Sequence, residues 1–164
     1  MPFPSSGSFI STDGDNTLRG YYRDNADHVT IGTGEDDLAT TTITGGDIGS
    51  TGTLWVFVSG TTTAGNETKT IKLYLGSTVI GTVVRATTNA QDWFIFAKIS
   101  NTSNSAQRCE VWFSTTDAAT VSYDYITAAE DVSINATLKA TGTCSSGTAV
   151  ITQSKFEAYV TQIQ

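Results

Sequence analysis

Charge is scarce in this sequence, and positive charge is scarcer. Lys and Arg number 9 against 16 Asp and Glu, a formal net charge of −7 with charged residues at 15%, where soluble domains carry about 25%. Nucleic acid and anionic lipid are drawn to basic surface, so this balance argues against both as partners. It also keeps a surface soluble and discourages nonspecific association. There is one histidine, His28. A lone histidine cannot make a His-paired metal site, and a Ser-His-Asp triad needs its imidazole buried and oriented. His28 lies instead in an Asp-rich stretch that reads as exposed loop. The two cysteines, Cys109 and Cys144, read as free thiols in a chain that needs no staples. No apolar run approaches the ~18 residues that cross a membrane. Met1-Pro-Phe-Pro-Ser-Ser has neither the basic nor the apolar region of a secretory signal. The sequons at Asn66, Asn101 and Asn135 are therefore expected to be chance products of a Thr-rich chain.

Good helix formers are few as well, while Thr, Ser and Gly abound. Thr is β-branched and suits the solvent face of a sheet. The length of 164 residues fits one domain with a real core, and the composition makes that domain all-β. Its firmest stretch is Lys69 to Arg85, KTIKLYLGSTVIGTVVR. Ile71, Leu73 and Leu75 alternate with polar neighbours, Gly76-Ser77 fits a two-residue hairpin turn, and Val79, Ile80, Val83 and Val84 return. Gly81 marks a bulge or a close approach.

Along the chain, residues 1–30 read as an irregular N-terminal arm. Pro and Gly break it, Asp and Asn make it polar, and spaced aromatics give it apolar handles, suited equally to a partner surface or to a strap packed along its own domain. Residues 31–164 read as the sandwich domain. A Thr-rich strand covers Leu38–Thr44, and Leu54–Val58 is apolar on both faces. Gly60–Glu67 reads as loop before the hairpin. Asp92–Ile99 sets Trp93, Ile95, Ala97 and Ile99 against Phe94 and Phe96. Arg108–Phe113 turns Cys109, Val111 and Phe113 inward and Trp112 outward. Thr120–Ile126, Val132–Ala140 (with Ile134 on its apolar face) and a long last strand over 148–163, bent near Gln153-Ser154, complete the set. Eight or nine antiparallel strands at this spacing predict a sandwich, with the jelly roll as the eight-stranded candidate. Strands covered on both faces point to oligomerisation through outward aromatics.

No motif carries chemistry. Asp13-Gly-Asp15-Asn16 fails the EF-hand pattern, which needs Gly and Glu where Leu18 and Asp24 stand. Glu35-Asp36-Asp37 reads as an acidic solvated turn. Glu110, Asp124 and Glu157 alternate onto polar faces, which leaves no acid–base pair for glycoside hydrolysis. No enzyme activity, cofactor or metal is expected. Trp55, Trp93, Trp112, Tyr123 and Tyr125 are candidates for a sugar platform, although strand aromatics more often serve a core or an interface.

Gly32-Thr-Gly-Glu-Asp-Asp-Leu38, a Thr-rich strand, the Leu54–Val58 strand, Lys69-Thr-Ile-Lys-Leu-Tyr-Leu-Gly76 and Asp92-Trp93 together resemble small jelly-roll proteins of tailed bacteriophage virions. The shared phrase is GxGEDxL … GT … KTxKLYxG … DW, and it covers roughly residues 32–160. The resemblance implies a virion structural protein, most simply a capsid decoration (cement) protein. It would sit on the capsid surface, trimerise, and bind the major capsid protein. The alternative it implies is a tail-fibre, spike or head-fibre domain that binds a host glycan. On this reading Phe3, Phe9, Ile10, Leu18, Tyr21 and Tyr22 are expected to anchor the arm on the capsid, and Trp112, Tyr123 and Tyr125 to form the oligomer interface.

Overall fold

The computed structural model describes residues 8–10, 16–116 and 120–163. Twelve strands run through them: β1 (Ser8–Ile10), β2 (Asn16–Asp24), β3 (His28–Val29), β4 (Glu35–Ile43), β5 (Thr53–Thr62), β6 (Gly65–Leu75), β7 (Thr78–Thr87), β8 (Gln91–Ser103), β9 (Ala106–Thr115), β10 (Ser122–Ala128), β11 (Ala136–Cys144) and β12 (Ile151–Ile163). All pairings are antiparallel. An eight-stranded sheet runs β1-β2-β12-β5-β8-β9-β10, with β3 also paired to β12, and a four-stranded sheet runs β4-β11-β6-β7. The chain is thus an all-β sandwich, and no helix among the described residues is long and apolar enough to cross a membrane.

The core is the alternation of the strands made physical. Leu54, Val56 and Val58 of β5, Ile95, Ala97 and Ile99 of β8, Cys109 and Val111 of β9, and Phe156 and Ala158 of β12 line the inner face of the large sheet. They meet Ile71, Leu73 and Leu75 of β6 and Leu138 and Ala140 of β11, and all of them are buried. At about 25 cal/mol per Å² of apolar surface, this continuous two-sided face is the main stabilising contribution.

The β6–β7 hairpin closes as its sequence predicts, with Leu75 opposite Thr78 across a two-residue turn and Gly76 at φ +57°. Register slips between Leu73, opposite Gly81, and Tyr74, opposite Val79, which places a bulge beside Gly81. A Cβ on Gly81 would stand 3.0 Å from a Val111 methyl of the facing sheet, so the glycine also lets the two layers approach. The bend expected near Gln153-Ser154 is a second register shift, between Gln153 and Lys155.

Several stretches depart from the sequence expectation. Residues 16–24, read as irregular arm, form β2 and pair with β12 from Asn16–Ile163 to Asp24–Phe156. Backbone pairing to a strand some 130 residues away outweighs the Gly and Asp signals there. Most of Gly60–Glu67, read as loop, extends β5 and β6. Ile134, read as an inward strand residue, lies in the turn before β11 and is 62% exposed.

Candidate functional site: the outer aromatic face of the large sheet

Strands that alternate Val, Ile and Leu inward must send their other residues outward. In β5, β8, β9 and β10 many of those are aromatic. Pairing places Phe57 opposite Phe96, Phe96 opposite Trp112 and Trp112 opposite Tyr123, so four neighbouring strands contribute one row. Each ring of the row touches another ring on this face. Phe96 and Trp112 are 5.6 Å apart between centroids, and Trp112 and Tyr123 5.4 Å. Trp55 stacks on Phe96 at 5.8 Å, and Phe57 on Phe94 at 6.4 Å. Such pairs add about 0.5–1.5 kcal/mol each beyond the area they cover.

Polar side chains frame the rings and hold them still. The Trp55 indole Nε1 donates to Thr161 Oγ1 at 3.2 Å. Lys98 donates to Glu110 at 2.8 Å and lies 5.9 Å over the Trp55 ring. Glu157 is nearly buried between Arg23 (3.0 Å) and Lys155 (3.1 Å), and Lys155 lies 5.4 Å over Phe57. Beside the row, Phe57, Phe94, Ser59, Ser114, Asp92 and Thr116 line an open hollow of about 340 Å³. The face thus combines a row of aromatic rings with paired charges at its margins.

Of the residues expected at an oligomer interface, Trp112 lies in the middle of the row. Tyr123 and Tyr125 stand outward on the edge strand β10, 50% and 53% exposed. Trp55 joins them, but Trp93 does not. It is 2% exposed, faces the core, and donates its indole N–H to Thr61 O at 3.2 Å. The expected arm contacts are mostly out of reach: Phe3 lies outside the described residues, as do the side chains of Phe9, Ile10, Leu18 and Tyr21. Tyr22 turns onto its own domain. Its ring meets Phe156 edge-on at 5.4 Å, and its hydroxyl donates to Asp24 at 3.3 Å. Asp24 also holds His28 Nε2 at 2.7 Å, so His28 is a strand residue tied to its neighbour and not a free loop.

The opposite face of the sandwich brings together parts of the sequence phrase. Glu35, from GxGEDxL, accepts hydrogen bonds from Thr141 Oγ1 at 2.6 Å, Tyr74 OH at 2.7 Å and Lys72 Nζ at 3.3 Å. Tyr74 and Lys72 come from KTxKLYxG. These bonds, with the Thr141 hydroxyl the largest influence and Tyr74 the next, draw the Glu35 carboxyl down to about 2. Lys139 pairs with Asp37 at 2.9 Å and covers the Tyr74 ring at 5.2 Å. Glu35-Asp36-Asp37 is therefore the start of β4 and an anchor across three strands. Both cysteines are buried and unpaired, and burial pushes the Cys109 thiol up to about 11. No group of His, Cys, Asp and Glu suited to a metal ion occurs among the described residues.

No protein-family model matches the chain, and no curated protein matches it.

Proposed function

We propose that this chain is a structural component of a tailed-bacteriophage particle, a jelly-roll decoration protein that assembles with its own copies on the outside of the shell. The observation that carries the reading is the interlock of Glu35 with Lys72 and Tyr74. Three residues from two separate parts of the phrase meet in the fold, which supports reading those parts as pieces of one architecture.

The strand order supports the jelly-roll part of the reading. Set aside β1, β3 and the β9–β10 hairpin, and eight strands remain. The first pairs with the last (β2 with β12), the second with the seventh (β4 with β11), the third with the sixth (β5 with β8) and the fourth with the fifth (β6 with β7). That is one long hairpin. It is then rolled so that β12 meets β5 and β11 meets β6, an order that supports the jelly-roll reading. The hairpin β9–β10 widens the sheet that carries the aromatic face. A jelly roll alone does not fix a task; the resemblance and the outward aromatic face are what support the rest of the reading.

Such a protein acts by mass action, because a ligand that binds only the assembled shell stabilises it. The test is loading of purified full-length chain onto undecorated shells, followed by heat challenge. Bound chain and a raised shell melting temperature are expected. A shortened chain lacking residues 1–15 tests the arm; removal up to residue 25 would strip β2 from the sheet and test folding instead. No loading by the full-length chain, together with binding to host polysaccharide, would replace this reading with the tail-appendage one.

A further inference from the structure

The outer face of the large sheet is covered, we infer, by a second copy of this chain, with the Phe57–Phe96–Trp112–Tyr123 row at its centre. The inference deepens the reading above, which has the chain assembling with its own copies, by naming the surface that does so. Three observations favour a copy over another occupant.

The first is size. Five strands, β12, β5, β8, β9 and β10, at ~4.8 Å spacing and about seven residues of ~3.4 Å each give a flat patch of roughly 600 Å². The relief of the rings raises this toward the ~800 Å² per partner of a standard interface. The second is charge. The chain carries −7 overall, so its copies repel over most of their surface. On this face Arg23, Lys98, Arg108 and Lys155 stand against Asp92, Glu110 and Glu157, and Lys98–Glu110 and Arg23–Glu157–Lys155 are already paired in the plane. An equally acidic molecule approaches here without a like-charge penalty. The third is the edge. β10 runs in unbroken register from Ser122 to Ala128 against β9 and contains no Pro, Lys or bulge; its one charge, Asp124, stands opposite Val111 and off the aromatic face. Val121, Tyr123 and Tyr125 extend the apolar surface past that edge. Trp112 and Tyr123, in tilted ring contact with each other, fit the aromatic anchors that dominate protein interfaces.

The experiment is sedimentation of the purified full-length chain across the micromolar range, with no particle present, joined to side-chain oxidation footprinting. The intact chain is expected to associate, with Trp55, Trp112 and Tyr123 protected as concentration rises. Trp112→Glu, and independently the exposed-edge Tyr123→Glu, are expected to weaken association by about thirtyfold or more. Thr40→Glu, on the outer face of the small sheet, leaves association unchanged. Far-ultraviolet circular dichroism checks that each variant is folded. A monomer throughout the range overturns the inference. So does association that both face variants leave intact, or protection of the row only after shells or host polysaccharide are added. Shell loading is measured separately, so a monomer that still loads keeps the virion reading while removing this one.

Discussion

Replacing Glu35 with Gln tests the anchor that joins the ends of the sequence phrase. In the folded chain the Glu35 carboxyl lies at about 2, against an ordinary 4.5, because Thr141, Tyr74 and Lys72 all donate to it. The sign follows from a depressed carboxyl. Its stabilising contribution is fully present above the unfolded value and is lost as pH falls from about 4.5 through about 2. Taken at face value, that drop is worth about 3.4 kcal/mol at 1.36 kcal/mol per pH unit. The Glu35 side chain is 37% exposed, and solvent screening at such a site reduces the figure to about 1 kcal/mol. Gln keeps one carbonyl acceptor for Tyr74 or Thr141 and loses the charge. Urea unfolding should therefore show the natural chain about 1 kcal/mol more stable than Glu35→Gln at pH 7. The gap should shrink as pH falls below about 4.5 and reach zero only below about pH 2, where the folded-state carboxyl is protonated as well. Comparing the two chains at each pH cancels the other carboxylates that titrate in the same window. A gap that stays constant from pH 7 to pH 2, or no gap at pH 7, would refute the anchoring role.

Phe156→Ala should destabilise by about 3–5 kcal/mol, read by urea denaturation, because it empties a fully buried site and strips Tyr22 of its edge-on partner; a cost under 1 kcal/mol would mean β2 is not packed on the core. Gly60→Ala would drive a Cβ into the Thr152 carbonyl of β12 at a cost of about 1–3 kcal/mol, and an unchanged melting temperature would contradict the β5–β12 register. Glu130 accepts from Ser77 N at 3.0 Å, Ser77 Oγ at 2.9 Å and Thr78 Oγ1 at 2.7 Å, so Glu130→Ala should loosen the β6–β7 turn by about 1–2 kcal/mol and speed amide exchange there. Neither Cys109 nor Cys144 should react with a thiol reagent at pH 8 until urea unfolds the chain; rapid labelling of the native protein would show a core more open than described.

Much of the fold was legible because strand alternation is a local property. The inward faces Ile71-Leu73-Leu75, Trp93-Ile95-Ala97-Ile99 and Phe156-Ala158-Val160 each read directly off one segment. So did the turn at Gly76-Ser77. What stayed hidden depends on pairing between distant segments. β2 carries Gly20, Arg23 and Asp24 in a stretch that looks like loop, and β12 supplies its hydrogen bonds. The ends of β5 and β6 are polar, and they are strands because β12, β8 and β7 pair with them. The aromatic row was half legible. Alternation alone sends Phe94, Phe96 and Trp112 outward, but only register lines up Phe57, Phe96, Trp112 and Tyr123. Trp93 shows the opposite error: its residue type grouped it with the surface aromatics, although its position in the alternation had already placed it inside. Glu35 looked like part of a solvated acidic turn because its three partners lie 37, 39 and 106 residues away.

The proposed place of the chain on the shell of a phage particle is tested most directly by quantitative mass spectrometry of purified particles from the source. The measured quantity is the copy number of this chain relative to the major shell protein. A ratio of one, or a simple fraction such as about one third, as lattice-wide occupancy requires, is the predicted result. A few copies per particle would move the chain to the tail or a vertex and contradict the decoration role, and complete absence would contradict the virion reading altogether.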